Sequence, residues 1–344
     1  MPRWNVILAG GVGSRFWPLS TPQRPKQLLP LVHDQPMLRD ALDRLLPTAP
    51  AERTLILTNA SLCEAVADLA PMLPIENVLI EPRPAGTCAA LAWAAKVIRD
   101  REGPDAVMVC THADWAIGDV PAFQATLEDA VTAAVAHRAL VTVGIVPVRP
   151  DTGYGYIEPG AVLDGPVRRV ARFVEKPDRA GAEQMVADGF LWNSGIFVWR
   201  VGDLLDELQI HTPEVHPALA AAGDDAVRFF GSVVVPIAID VGVLERSRRV
   251  LVLPGAFGWD DVGTWASLHR VRSRDADGNA VIGPAIGVAA HNNVVHADGP
   301  PVVFYGVEDL VVVSREDVVL VTTRDRAADL KRLIEAVPTG FLDR

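Results

Sequence analysis

Val6-Ile7-Leu8-Ala9-Gly10-Gly11-Val12-Gly13-Ser14-Arg15-Phe16-Trp17-Pro18-Leu19-Ser20 puts a glycine-rich turn directly behind a short apolar run. A run of that length reads as a buried strand, and the turn beyond its carboxyl end is where a parallel sheet offers a phosphate site. Gly10, Gly11 and Gly13, with Ser14 beside them, open backbone angles closed to other residues and let amide N–H groups approach a phosphate. A tight strand-to-helix connection is the plainer reading of the same glycines. Neither familiar phosphate motif fits: a dinucleotide fingerprint wants glycine where Phe16 stands, and a P-loop wants Lys directly behind its last glycine.

Outward from this turn, short apolar runs at 54–57 and 106–109 alternate with helical patterns at 87–100 and 121–137. That rhythm predicts right-handed βαβ crossovers and an α/β, doubly wound, mostly parallel sheet. From about residue 140 the pattern changes. Segments 153–158 and 167–175 read as antiparallel strands joined by Gly/Asp/Pro turns, an insertion able to cover one side of a cleft. Segment 201–228 reads as helical and loop-rich, and 232–239 and 250–253 return to strand character. The turn-forming stretch Asp275-Ala276-Asp277-Gly278-Asn279 marks a boundary between a large domain, 1–275, and a small one, 276–344. The small domain reads as stacked short strands closed by an amphipathic helix over 326–337, with Ala327, Leu330, Leu333 and Ile334 on one face.

Composition narrows the function. Hydrophobic residues make up 49% and charged residues 22% of the 344, the usage of a folded globular chain. A formal net charge of −11 opposes general nucleic-acid binding, which needs a basic field. Any bound phosphate must therefore meet a local cluster of cations. The first residues lead straight into a strand without a secretory pattern, and no apolar run approaches membrane-spanning length, so a cytoplasmic protein without a membrane partner is expected. The three cysteines form no CxxC pair and read as buried thiols of a reduced compartment. The eight histidines show no metal spacing, and His112 reads as a structural neighbour of Asp114.

The cations gather near the glycine turn. Arg15 lies within it, and Lys26 follows in Pro25-Lys26-Gln27-Leu28-Leu29-Pro30. Arg suits a bidentate grip on a departing pyrophosphate, and Lys on a Pro-braced loop suits a point charge at the α-phosphoryl group. The whole string over 10–26, GGVGSRFWPLSTPQRPK, resembles the signature of the sugar-1-phosphate nucleotidyltransferases. Its Phe16-Trp17-Pro18-Leu19-Ser20 and Pro25-Lys26-Gln27 pieces resemble the mannose-1-phosphate guanylyltransferase branch of that family.

The resemblance extends over essentially the whole chain and implies the rest of a site. Glu81-Pro82-Arg83-Pro84-Ala85-Gly86-Thr87 resembles the family's nucleotide loop, so Glu81, Gly86 and Thr87 would join Gly10, Gly11, Gly13 and Ser14 around the nucleotide; Thr87 also fits a helix cap. Asp114 in Thr111-His112-Ala113-Asp114-Trp115 and Asp261 in Gly258-Trp259-Asp260-Asp261-Val262-Gly263 match the family's two metal motifs. Two hard oxygen ligands with open positions suit Mg²⁺. Asp260 is an extra carboxylate, read as a group behind the ligand or as a charge at the start of the next helix. On the sugar side, Phe173-Val174-Glu175-Lys176-Pro177 matches a motif in which Glu175 accepts from hydroxyls and Lys176 holds the sugar phosphate. Asn193 in Trp192-Asn193-Ser194-Gly195 would both donate and accept there. Gly155 would let backbone approach the sugar, while Trp192, Trp259 and Trp265 are expected mostly to pack motif loops.

The activity implied is transfer of GMP from GTP to mannose 1-phosphate, giving GDP-mannose and pyrophosphate. Two alternatives stand beside it: another sugar 1-phosphate, such as a heptose derivative, and a non-catalytic nucleotide-sugar sensor. The resemblance also implies a Rossmann-like nucleotidyltransferase fold, a short left-handed β-helix at the C-terminus that could support a homodimer, and, with no stretch left for an isomerase domain, a single activity.

Overall fold

The computed structural model describes residues 1–11, 15–338 and 340, arranged in two compact units. The first gathers 1–10, 41–112 and 119–259, and the second gathers 11–40, 113–118 and 260–344. The expected division at 275/276 follows the chain. Contacts instead draw the Lys26 loop and the Asp114 turn in with the C-terminal residues.

The first unit is built on a nine-stranded sheet. Its strands are β1 (Arg3–Leu8), β2 (Thr54–Asn59), β3 (Val78–Glu81), β4 (Val107–His112), β5 (Leu140–Ile145), β6 (Tyr156–Asp164), β7 (Val167–Val174), β8 (Leu191–Arg200) and β9 (Val250–Gly255). The spatial order is β3-β2-β1-β4-β8-β5-β9-β7-β6. Pairing is parallel from β3 through β2 and β1 to β4, and between β9 and β5. β8 runs antiparallel to β4 and β5, and β7 antiparallel to β9 and β6. Only β7 and β8 thus oppose the common direction, which makes the sheet mostly parallel, as the strand–helix rhythm predicts.

Strand alternation assigns the faces. Trp4, Val6 and Leu8 join Leu55, Leu57, Met108 and Cys110 in one apolar cluster with the helix Gly86–Glu102, whose buried alanines allow close approach. Asn5, on the opposite face, donates from Nδ2 to Leu45 O at 3.0 Å, so its buried amide does not lack a partner. Each fully buried Leu, Ile or Phe of such a core stabilises by roughly 1.5–3 kcal/mol.

The expected strand over 232–239 does not form. Ser232 ends a helix, Ala226–Ser232, and Pro236 cannot donate to a ladder. The segment's backbone pairs with the start of the 86–102 helix instead: Ile237 O accepts from Cys88 N at 3.1 Å, and Ile239 N donates to Thr87 Oγ1 at 3.0 Å.

In the second unit, strands β10 (Ala280–Ile282), β11 (Ala285–Val288), β12 (Val294–Ala297), β13 (Val302–Tyr305), β14 (Leu310–Ser314) and β15 (Val319–Thr323) stack as successive coils. β10, β12 and β14 pair in parallel, as do β11 and β13, while β15 returns antiparallel on β14. An asparagine ladder that the sequence reading missed closes one corner. Asn293 donates from Nδ2 to Asn279 Oδ1 at 2.9 Å, and its own Oδ1 accepts from Leu310 N at 2.9 Å.

Phe16, Trp17, Leu19, Leu29 and Leu31, the apolar residues between the glycine turn and the Lys26 loop's far end, pack with Trp265, Leu268, Val294, Val311 and Leu330. Burial holds the Arg272 guanidinium down at about 9, where it donates to Leu31 O at 2.6 Å. It also meets His296 Nδ1 at 3.0 Å, and burial beside that cation keeps His296 neutral, its pKa lowered to about 3. The amphipathic closing segment divides into a 3₁₀ turn, Arg326–Ala328, and a helix, Lys331–Ala336. Ala327 and Leu330 are buried, with Leu333 and Ile334 packed beside them, on the face the periodicity assigns.

Candidate active site

In the second unit the cationic and acidic motifs converge on Lys26. This lysine opens a 3₁₀ turn, Lys26–Leu28, behind Pro25 and is only 8% exposed. Its Nζ lies 3.1 Å from Asp114 Oδ2 and donates to Asp261 O at 2.5 Å and to Val262 O at 3.0 Å. A buried ammonium with three oxygen partners is satisfied and held in one position. Val262 takes φ +47 although it is β-branched and fully buried. Such a conformation is costly and marks a turn held in place by its surroundings. It aims two successive carbonyls at the lysine.

Asp261 Oδ1 accepts from Gly263 N at 3.1 Å. A Cβ on Gly263 would lie 2.9 Å from Asp261 Oδ2 and 3.4 Å from Arg15 Nη1, so the carboxylate and the guanidinium share that glycine's open side. Gly11 has nothing within 4 Å of where a Cβ would stand, and its carbonyl accepts from Gln27 Nε2 at 2.8 Å. Gly13 and Ser14 lie outside the described residues.

Asp260 does not serve as a charge at the start of the next helix; it stands behind the Asp261–Val262 turn. Its Oδ2 accepts from Arg270 Nε at 2.9 Å and Nη2 at 2.8 Å, and its Oδ1 from Val262 N at 2.9 Å. The next helix, Trp265–Val271, is capped by a Thr264/Ser267 box. Asp260 therefore fastens the strained Val262 turn.

In the first unit the nucleotide-loop residues stand at the carboxyl ends of β1 and β3. A Cβ on Gly10 would lie 3.6 Å from Glu81 Oε1. Burial pushes the Glu81 carboxyl up to about 7. Gly86 takes φ +83, and a Cβ there would lie 2.3 Å from Ile237 O, so the position admits no side chain without displacement. Thr87 does not cap: Ala85 is the N-cap without a side-chain bond, and Thr87 Oγ1 is taken by Ile239 N.

The sugar-side residues also meet. Asn193 N donates to Gly155 O at 2.8 Å, and a Cβ on Gly155 would come within 2.7 Å of Glu175 Oε2. Glu175 and Lys176 pair with each other at the surface, with Lys176 at φ +43. Trp192, Trp259 and Trp265 are buried and pack motif loops; Tyr154 stands edge-on to the first two. Cys88 and Cys110 are buried, their thiols held above the usual range by burial, and Cys63 is half-buried.

Sequence reasoning missed Asp240. It begins a π-helical turn, Asp240–Leu244, and its Oδ1 accepts from Asn193 Nδ2 at 2.7 Å. A carboxylate within the apolar run at 237–244 was the one available signal. A cavity of about 580 Å³ lined by Lys96, Asp100, Leu205, His216, Leu219 and Asp224 holds none of the predicted site residues.

No cluster of three metal-ligating side chains occurs among the described residues. The donor set fits a hard divalent cation all the same. Lys26 Nζ meets the carboxylate of Asp114 and the backbone carbonyl of Asp261, and the two carboxylates are hard oxygen donors whose coordination phosphate oxygens of a substrate would complete.

Lys26 with Asp114 and the Asp261 turn is a grouping suited to phosphate, and Gly155, Glu175 and Asn193 form one suited to hydroxyls. The model of the nucleotidyl transferases matches residues 4–278, and that of the mannose-phosphate isomerase/GMP-like β-helix domain matches 283–337; the chain belongs to the nucleotidyl transferase family. Within it, the chain is 37% identical over 352 residues to the mannose-1-phosphate guanylyltransferase of Escherichia coli (strain K12), covering 97% of this chain and 73% of the relative. It is also 37% identical to the alginate biosynthesis protein AlgA of Pseudomonas aeruginosa, covering 96% and 71%. A Thermus thermophilus crystal structure described as a mannose-1-phosphate geranyltransferase superposes with a TM-score of 0.90 at 35% identity, over 97% of this chain and 99% of that one. Enzymes of the family generally use a divalent metal. No described helix is long and apolar enough to cross a membrane.

Proposed function

We propose that the protein transfers GMP from GTP to α-D-mannose 1-phosphate, releasing pyrophosphate and forming GDP-mannose. The observation that carries this reading is the Lys26 ammonium, in contact with the Asp114 carboxylate and with the carbonyls of Asp261 and Val262. Three motifs distant in sequence meet there around one buried cation. Similarity to relatives described as mannose-1-phosphate guanylyltransferases supports the choice of substrates.

A phosphate oxygen of mannose 1-phosphate attacks the α-phosphorus of GTP; the new P–O bond forms as the bond to pyrophosphate breaks in line. The attacking phosphate is already ionised at neutral pH, so no side chain need take a proton. Catalysis is then positioning and charge neutralisation. Lys26 stabilises charge on the α-phosphoryl group, Arg15 grips the departing pyrophosphate, and Lys176 holds the sugar phosphate. Gly10 and Gly11 bring backbone to the nucleotide, with Glu81, Gly86 and Thr87 in the same role. Glu175, Asn193 and Gly155 receive the sugar. Asp114 and Asp261 would hold Mg²⁺, which when bound offsets phosphate charge that these side chains alone leave.

The nucleotide loop has Gly86 where Asn is frequent in the family. Here φ is +83 and a Cβ would lie 2.3 Å from Ile237 O, so glycine fits and a side chain does not without displacement. The test is pyrophosphate release from GTP with mannose 1-phosphate, with and without EDTA, run beside ATP, UTP, dTTP and other sugar 1-phosphates. Release that needs both named substrates and a chelatable cation is expected; preference for another pair would replace the substrates, and binding of GDP-mannose without turnover would indicate a sensor.

A further inference from the structure

Asn193 presents an amide whose two ends have opposite hydrogen-bonding polarity, and recognition of a sugar hydroxyl depends on which end faces it. Its backbone is anchored, because Asn193 N donates to Gly155 O at 2.8 Å. Its side chain is anchored by Asp240, whose Oδ1 lies 2.7 Å from Nδ2. A carboxylate only accepts, so this partner compels the NH₂ end toward Asp240, while the carbonyl end accepts from Gly195 N at 3.4 Å and keeps a second lone pair for a hydroxyl.

Asp240 is itself held from two directions. Ile239 N donates to Thr87 Oγ1 at 3.0 Å, immediately before it. Gly242, two residues beyond, lies so near the helix that a Cβ would stand 3.2 Å from Cys88 Sγ. Between these points the chain takes the π-helical turn Asp240–Leu244, a local distortion that recurs at functional sites. One short segment thus joins Thr87 of the nucleotide loop to Asn193 of the sugar cluster. Burial raises the Asp240 carboxyl, as does nearby Glu175, while Asn193 and His112 favour its charged form.

We infer that Asp240 is the positioning residue of the sugar subsite: it fixes the polarity and orientation of the Asn193 amide, and through it selects the hydroxyl pattern of the sugar 1-phosphate. This assignment depends on the activity proposed above. Asp240→Asn keeps the shape but lets the pair adopt either polarity.

Steady-state pyrophosphate release tests it. For Asp240→Asn, KM for mannose 1-phosphate should rise roughly tenfold, the scale of one lost charged hydrogen bond, while KM for GTP stays within twofold. Asn193→Ala, which also removes the sugar contact, should raise the same KM at least as far, and the double variant should be no worse than Asn193→Ala, because Asp240 acts only through that amide. An unmoved KM in Asp240→Asn, or a double variant whose defect is the product of the two, overturns the assignment. Should Asp240→Asn not fold, Asn193→Asp, which sets acceptor against acceptor, must raise the same KM, and an unchanged value there overturns the assignment equally. Wild-type protein that releases no pyrophosphate from GTP and mannose 1-phosphate removes the proposed function, and this role with it; active wild type with unaltered variants removes the role of Asp240 alone.

Discussion

Lys26 and Glu81 show how burial changes what an ordinary charged side chain can do. Replacing Lys26 with Ala removes a positive charge from among three oxygens, and transition-state stabilisation should fall by about 3 kcal/mol, roughly a hundredfold in kcat. Circular dichroism should find the fold retained, and near-normal turnover would refute the role given to this lysine. Glu81 offers a pH signature. Its carboxyl is raised by burial from 4.5 to about 7, so folding favours the protonated form. The folded chain binds more protons than the unfolded one between those values, and Glu81's contribution is full below about 4.5 and lost as pH rises through about 7. Glu81→Gln should flatten that part of the thermal-stability profile, as read by melting temperature against pH. Arg15 and Lys26 stood out in the sequence as cations gathered near the glycine turn, and Asp114 and Asp261 through the resemblance of their segments to the family's metal motifs. Asp240 was not, since a lone Asp in an apolar segment carries no spacing. Asp260 looked like part of the metal motif, yet only the position of Arg270, ten residues on, shows that it is consumed by an ion pair.

At the scale of elements, the contact between the 86–102 helix and the loop at 237–239 is the most sensitive joint in the first unit. Gly86→Ala should force a Cβ toward Ile237 O in a left-handed backbone and cost roughly 1–3 kcal/mol. The expected result is a lower denaturation midpoint with a raised KM for GTP; a variant as stable as wild type would show that the loop moves aside without cost. The helices at 87–100 and 121–137 were readable to within two residues, and the short strands of the C-terminal part were readable as strands. The loop at 232–239 was misread because apolar, β-prone residues say nothing about what their backbone will pair with. Pro236 and the nearby helix start decide that, and Val234 and Val235 end up exposed. The asparagine ladder was equally hidden, as one Asn per coil is visible only when the coil length is known.

Across the whole molecule, the proposed cation ligands come from segments far apart in the chain, and both belong to the second compact unit. Asp114→Asn or Asp261→Asn should raise the Mg²⁺ concentration for half-maximal turnover by about tenfold or more, measured by metal titration of the pyrophosphate-release assay. An unchanged titration for either variant would remove that residue from the ligand set. By itself the sequence determined the α/β class, the mostly parallel sheet and the small stacked-strand region, and it named candidate site residues. The first three follow from local periodicity, and the candidates from cations beside a glycine turn and from segments that resemble the family's motifs. Tertiary structure alone decided that 11–40 and 113–118 pack with the C-terminal residues, that Lys26 faces Asp114 and the Asp261 carbonyl, that Asp260 belongs to Arg270, and that Asp240 holds Asn193. Each of these is a pairing between distant residues, and a linear pattern cannot state which of many compatible partners a side chain meets once burial removes water as the alternative.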